Sequence, residues 1–189
     1  MRTVVPEVVK LVPAEAKRVF KGILYDVYHW QQKRFDGSTA TFEMLKRIDT
    51  VKVIAIKDSK LVVINDDQPQ RGPILTMPGG RHDVPSETEL DCAKRELHEE
   101  TGMVFSDWRL IYTRQPSLRI EHIVYIFLAT GFVRQETPHT DPGENITVRL
   151  MSFEDAKKEA AHRTDGYWPS DLLNRLDSLE ELLALPEYR

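Results

Sequence analysis

Gly79-Gly80-Arg81-His82-Asp83-Val84-Pro85-Ser86-Glu87-Thr88-Glu89-Leu90-Asp91-Cys92-Ala93-Lys94-Arg95-Glu96-Leu97-His98-Glu99-Glu100-Thr101-Gly102 is the stretch from which the rest of the chain is read. Within it Ser86-Glu87-Thr88-Glu89 has the form of a capping box, in which a serine side chain accepts the orphan amide three residues on. The spacing predicts a helix over 86–101. Gly102 stops it, free to take the left-handed conformation of a helix C-terminus. Leu90, Ala93 and Leu97 fall at i, i+3 and i+7, an apolar stripe that should face a core. Glu96, Glu99 and Glu100 fall at i, i+3 and i+4 on the adjacent stripe, where each like-charged pair costs about 0.2–0.5 kcal/mol on an exposed helix. A hard dication removes that cost and takes the carboxylates as oxygen ligands. Arg95, four residues before Glu99, can orient it. Acidic runs on helices are most often solvated faces, so the weight falls on a conjunction. Pro78-Gly79-Gly80 turns the backbone tightly ahead of the helix and lets a bare carbonyl point at a metal. The acidic stripe also borders a buried one.

Outward from the helix, the chain alternates strand and turn signals. Residues 19–32 are dominated by β-formers and read as one strand. Asp36-Gly37 is a hairpin turn signal, and residues 39–46 supply the return strand. That hairpin carries Tyr25, Val27 and His29 on one face and Tyr28 and Trp30 on the other. Residues 51–56 and 61–64 read as strands across the polar turn Lys57-Asp58-Ser59-Lys60, and 74–77 as a short apolar stretch running into the glycines. Beyond the helix, 108–114, 122–133 and 146–151 read as strands, the second apolar enough to be buried on both faces. Residues 134–145 form a loop near the length at which a structureless loop is usually functional or mobile. Ser152-Phe153-Glu154-Asp155 opens a helix to about His162, and Ser170-Asp171 opens a last one over 170–185. Strands mixed with helices, the helices late, predict a sheet sandwiched between helices.

Composition narrows the class. The chain has 189 residues, 41% hydrophobic and 30% charged, as in an ordinary soluble globular protein. No apolar run approaches the roughly 20 residues of a membrane span, and the charged N-terminus does not read as a signal peptide. The single cysteine, Cys92, excludes an internal disulfide and suits a reducing cytoplasm. A net charge of −4 provides no global field for nucleic acid. An acidic protein that handles phosphates needs local arginines or bound cations.

Gly79-Gly80, Glu87 and Arg95-Glu96-Leu97-His98-Glu99-Glu100-Thr101-Gly102-Met103 resemble the Nudix box: glycine, five residues, Glu, seven residues, then Arg-Glu-apolar-any-Glu-Glu-any-Gly-apolar. From Glu87 to Met103 every fixed position matches. Six residues rather than five separate Gly80 from Glu87, a one-residue insertion absorbed before the helix. The resemblance implies a Nudix-type α/β/α sandwich with a mixed sheet. It also implies Mg²⁺ (or Mn²⁺) held by Glu96, Glu99, Glu100 and a backbone carbonyl near Gly80, with Glu87 and Arg95 fixing those ligands. Such a cation neutralises phosphate charge and activates water. Glu144, on the long loop, is similar to the loop glutamate of ADP-ribose pyrophosphatases and is the expected general base; Glu100 is the alternative.

The hairpin ahead of the core resembles the N-terminal sheet of ADP-ribose and nucleotide-sugar pyrophosphatases. That likeness implies a division into 1–49 (hairpin extension) and 50–189 (Nudix domain), and a homodimer with the sheet exchanged. An aromatic stacks on the base in such relatives, with Trp30, Tyr28 and Phe35 as candidates here, against a role in hairpin packing. Arg47, Arg71 and Arg114 are candidate phosphate contacts, as bidentate donors. The expected reaction is hydrolysis of a nucleoside diphosphate linked to another moiety, ADP-ribose or a nucleotide sugar foremost. The rival readings are a house-cleaning triphosphate or dinucleotide hydrolase and a nucleotide-sensing Nudix module. An isopentenyl-diphosphate-isomerase-like enzyme would need a cysteine in the cleft, and Cys92 reads as helix packing.

Overall fold

Val51-Lys52-Val53-Ile54-Ala55 is apolar on both faces except at one lysine, so this strand must lie at the centre of a sheet covered on both sides. In the computed structural model, which describes residues 2–140, 142–164 and 166–188, it does. β4 (Thr50–Lys57) pairs with β9 (Val124–Gln135) in parallel and with β5 (Lys60–Gln68) antiparallel. The six-stranded mixed sheet runs β10-β5-β4-β9-β7, with β6 (Gly72–Thr76) also paired to β5; β7 is Met103–Arg114 and β10 Asn145–Met151. Asp58 and Ser59 both take positive φ, the two-residue hairpin turn that matches strand twist.

Each face of this sheet buries its own core. Val51, Val53 and Ala55 pack with Cys92, Ala93 and Leu97 of α1 (Glu89–Thr101). On the other face Ile54, Leu61 and Ile126 pack with Phe153, Ala156 and Ala160 of α2 (Phe153–His162), with Trp168 and with Leu172 and Leu173. The outcome is the expected α/β/α sandwich. No helix among the described residues is long and apolar enough to cross a membrane.

Three expectations need correction. The run over 19–32 is two strands, β1 (Lys17–Lys21) and β2 (Asp26–Lys33), because the chain turns at Gly22, whose amide donates to the Tyr25 carbonyl (3.1 Å). With β3 (Thr39–Lys46) and the short parallel β8 (Ile120–Glu121), they form a four-stranded sheet, order β1-β2-β3-β8, rather than a lone hairpin. The central helix begins at Glu89. Its N-cap is Thr88, paired reciprocally with Asp91, so the capping box lies two residues beyond Ser86. The last helix is split into α3 (Ser170–Leu173) and α4 (Leu179–Ala184). The cause is local: Ser178 accepts the Glu181 amide while the Glu181 carboxylate accepts the Asp177 amide (2.8 Å), a cap that starts a new helix.

The segment before β1 is a strap. Arg2 forks onto Asp49 (2.5 Å) and Glu121 (2.8 Å), the Thr3 amide donates to the buried Glu89 carboxylate (2.7 Å), and Val4 and Val9 pack on the α1-side core. It ties the four-stranded sheet to the start of α1.

Candidate active site

Gly79 and Gly80 form a corner wedged between β4 and α1. Gly79 has φ +132°, and a Cβ there would stand 2.3 Å from the Val51 carbonyl oxygen. A Cβ at Gly80 would stand 2.3 Å from a Glu96 carboxylate oxygen, so only glycine lets that acid lie against the backbone. The Gly79 amide donates to Glu100 Oε2 (2.7 Å), which fixes one end of the acidic stripe to the corner. The Gly80 carbonyl accepts the Val51 amide (3.0 Å), so one of its lone pairs is spent within the fold.

Arg95 organises the other end. It forks onto Glu87 (2.8 and 3.1 Å), and its Nη1 donates to Glu96 (2.9 Å) and Glu99 (3.0 Å). Glu87 thus sits just before the helix and holds Arg95, which in turn holds two of the three carboxylates. As they stand, no three His, Cys, Asp or Glu groups among the described residues are gathered as a metal-binding set. Burial pushes the Glu96 carboxyl up to about 7, against the opposing pull of Arg95. It pushes Glu100 upward too, opposed by Lys52. Two carboxylates held where their charge is penalised, beside a third, form a hard-oxygen donor set that suits a dication. The residues fit the Mg²⁺ that the sequence implies.

Lys52 is the residue that sequence reading missed. Half-buried on β4, it donates to Thr76 Oγ1 (3.2 Å), the Met77 carbonyl (3.0 Å) and the Gly79 carbonyl (3.2 Å). Burial lowers its pKa, opposed by the nearby charges of Glu100, Asp66 and Glu96. Three oxygen acceptors call for three N–H donors, so the ammonium form is the one that satisfies them. A solitary lysine in an otherwise apolar strand was the available signal.

These groups floor a cleft of about 700 Å³. Arg47, Arg71 and Glu144 line it, and Glu144 Oε1 accepts from Gln68 Nε2 (3.2 Å). Asp141, in the same loop, lies outside the described residues. The loop's first half is docked on α1, with the Glu136 amide on the Gly102 carbonyl (2.8 Å) and the His139 amide on the Glu99 carbonyl (2.8 Å).

Four candidates lie elsewhere. Trp30 packs against Phe42 (6.1 Å) and donates to Gln32, while Tyr28 faces Met44 and Arg18 across the sheet; neither lines the cleft. Phe35 projects from the hairpin turn into solvent. The aromatic at that end of the cleft is Tyr25, with the Arg47 guanidinium 5.6 Å from its ring centre. The extra turn between β1 and β2 places Tyr25, rather than Tyr28 or Trp30, at the rim. Arg114 is turned away onto Asp171 (3.6 Å) and the Gly166 carbonyl. Beside Tyr25, His122 is held neutral, its pKa pushed down to about 4 by burial and then by Arg47.

Comparison with known proteins bears on the family and the fold. The NUDIX domain family model matches residues 46–171. A solved structure described as an ADP compounds hydrolase superposes with a TM-score of 0.68 at 18% identity, covering 86% of this chain and 90% of its own. No curated protein matches the chain. The family match spans well over half of the chain, including the whole glutamate helix and the glycine corner: the chain belongs to the Nudix family of pyrophosphohydrolases.

Proposed function

We propose that the protein hydrolyses the pyrophosphate linkage of a nucleoside diphosphate joined to a second moiety, ADP-ribose or a nucleotide sugar foremost, with Mg²⁺. The observation that carries this is one cleft uniting the acidic stripe, Lys52, Arg47, Arg71 and Glu144. Glu96, Glu99 and Glu100 would hold the cation, which supplies charge neutralisation of the diphosphate and a more acidic water. Arg95 and Glu87 keep two of those carboxylates in place. Lys52 steadies the glycine corner and offsets buried negative charge. Glu144 takes the proton of the attacking water at a carboxylate oxygen; a bridging P–O bond breaks, leaving a nucleoside monophosphate and a sugar phosphate. Tyr25, backed by Arg47, is suited to stack on the base.

The reading includes a homodimer. Val19, Phe20 and Ile23 of the β1–β2 hairpin leave much of their surface to solvent, with Ile23 fully exposed, and a second copy is the occupant proposed for that face. The division at 49/50 is supported by a family match that begins at residue 46.

A hydrolysis panel with Mg²⁺ against ADP-ribose, nucleotide sugars, dinucleotides and nucleoside triphosphates tests the function. Turnover of ADP-ribose or a nucleotide sugar, lost in Glu100→Gln, is the expected result. A purified, folded protein that breaks none of these anhydrides overturns it.

A further inference from the structure

Two tyrosines, each backed by an arginine, line the cleft from different parts of the fold. Tyr25 with Arg47 borders the four-stranded sheet, in the β1–β2 turn and just after β3. Tyr167 with Arg71 belongs to the segment between α2 and α3 and to the β5–β6 turn. The second pair is firmly built. The Tyr167 carbonyl accepts from Thr76 Oγ1 (3.0 Å), and that same hydroxyl receives Lys52 at the floor of the cleft. The Arg71 guanidinium lies 5.4 Å from the Tyr167 ring centre and is ion-paired with one oxygen of Asp66. With 43% of its surface still exposed, Tyr167 keeps area for a ligand.

Asp66 supplies an independent indication. It is 93% buried and lines the cleft, yet only its Oδ2 is engaged, by Arg71 and by Gln68 Nε2 (3.3 Å). Its Oδ1 is buried with no hydrogen-bond partner among the described residues. A buried carboxylate oxygen left so is costly, and a donor from a ligand removes the cost. Arg71 is committed to the other oxygen, and Lys52 donates to Thr76, Met77 and Gly79, so neither supplies this donor and a ligand hydroxyl can. An aromatic face beside a hydroxyl-seeking carboxylate matches one chemistry, a sugar ring.

We infer that Tyr167 and Asp66 form the subsite for the second moiety of the substrate and select a sugar there. Tyr167 takes the apolar face of the ring, and Asp66 Oδ1 accepts one of its hydroxyls. The inference rests on the diphosphate-sugar reading of the cleft and adds to it the residues that select the sugar. Nucleoside triphosphates, which end in a bare phosphate, gain nothing from this subsite.

Equilibrium titration with methylene-bridged analogues, which turnover cannot consume, tests the inference apart from catalysis. The α,β-methylene analogue of ADP-ribose is compared with the α,β-methylene analogue of ADP carrying a β-methyl ester, on wild type, Tyr167→Ala, Tyr167→Phe and Asp66→Asn. Wild type binds the sugar conjugate more tightly. Tyr167→Ala weakens that conjugate about tenfold, the scale of a lost stacking contact, and leaves the methyl ester unchanged. Tyr167→Phe restores binding, and Asp66→Asn also loses the sugar preference. Equal affinity of wild type for both ligands, or equal weakening of both by Tyr167→Ala, overturns the subsite. Tight, sugar-selective binding without hydrolysis of authentic ADP-ribose or nucleotide sugars sinks the enzymatic proposal and leaves the subsite standing.

Discussion

Glu100 and Glu144 both face the cleft, and substitution separates their proposed roles. Glu100→Gln removes a carboxylate that the Gly79 amide fixes to the corner, so both metal affinity and turnover should collapse. Glu144→Gln should bind Mg²⁺ as wild type does but lower kcat by about 10²–10⁴, the range for a lost general base. A wild-type kcat in Glu144→Gln shifts the base to Glu100. The raised carboxyls also make stability depend on pH. A carboxyl whose folded pKa exceeds its unfolded value binds more protons folded than unfolded. Its contribution is present below the unfolded pKa and is lost as pH rises through the folded one. With Glu96 at about 7 and Glu100 also raised, the metal-free protein should lose thermal stability between about pH 5 and 8. Mg²⁺ should raise Tm more at pH 8 than at pH 5. A metal-induced shift of equal size at both pH values, measured by melting with and without chelator, contradicts the assignment of these acids as ligands.

Among the elements, α1 is the one whose start the sequence misplaced and whose chemistry it placed well. Ser86 and Thr88 both offer an N-cap hydroxyl, and Ser86-Glu87-Thr88-Glu89 is the better local match to a capping box. Tertiary contacts decide otherwise. Glu87 is held outside the helix by Arg95, and Glu89 is drawn into the interior by Thr3, so the first turn forms at Thr88. Thr88→Ala should cost about 1 kcal/mol of unfolding free energy, as removal of an N-cap does. Ser86→Ala should be near neutral. Denaturant melts of the two variants decide between the caps, and the reverse ranking would place the helix start at Ser86. The acidic stripe survives this shift because helical spacing, not the helix's first residue, sets which side chains share a face. At the chain's end the same local logic misled: Ser178 caps a new helix where the start signal at Ser170-Asp171 predicts one helix over 170–185.

For the molecule as a whole, the N-terminal strap couples the small sheet to α1. Arg2 bridges two acids that are almost fully buried, Asp49 and Glu121, and truncating one partner of such a network leaves the others uncompensated. Arg2→Ala, or deletion of residues 1–12, should therefore lower Tm by several degrees and reduce turnover together, because the Tyr25–Arg47 rim hangs on the same sheet. A truncated protein that melts and turns over like wild type would show the strap to be dispensable.

The sequence by itself determined the glutamate helix, the glycine corner and the two-faced central sheet. Those depend on spacing within a few turns or on the apolar run of one strand, and short-range periodicity records both. It also pointed to Arg47, Arg71 and Glu144, which line the cleft. Only the tertiary structure decided that Tyr25 rather than Tyr28 or Trp30 reaches the rim, that Arg114 turns to Asp171, and that Lys52 sits beneath the carboxylates. Each of those outcomes depends on how strands distant in sequence register and how loops cross them. A single residue of shift sends a strand side chain to the opposite face, and local composition does not encode that register.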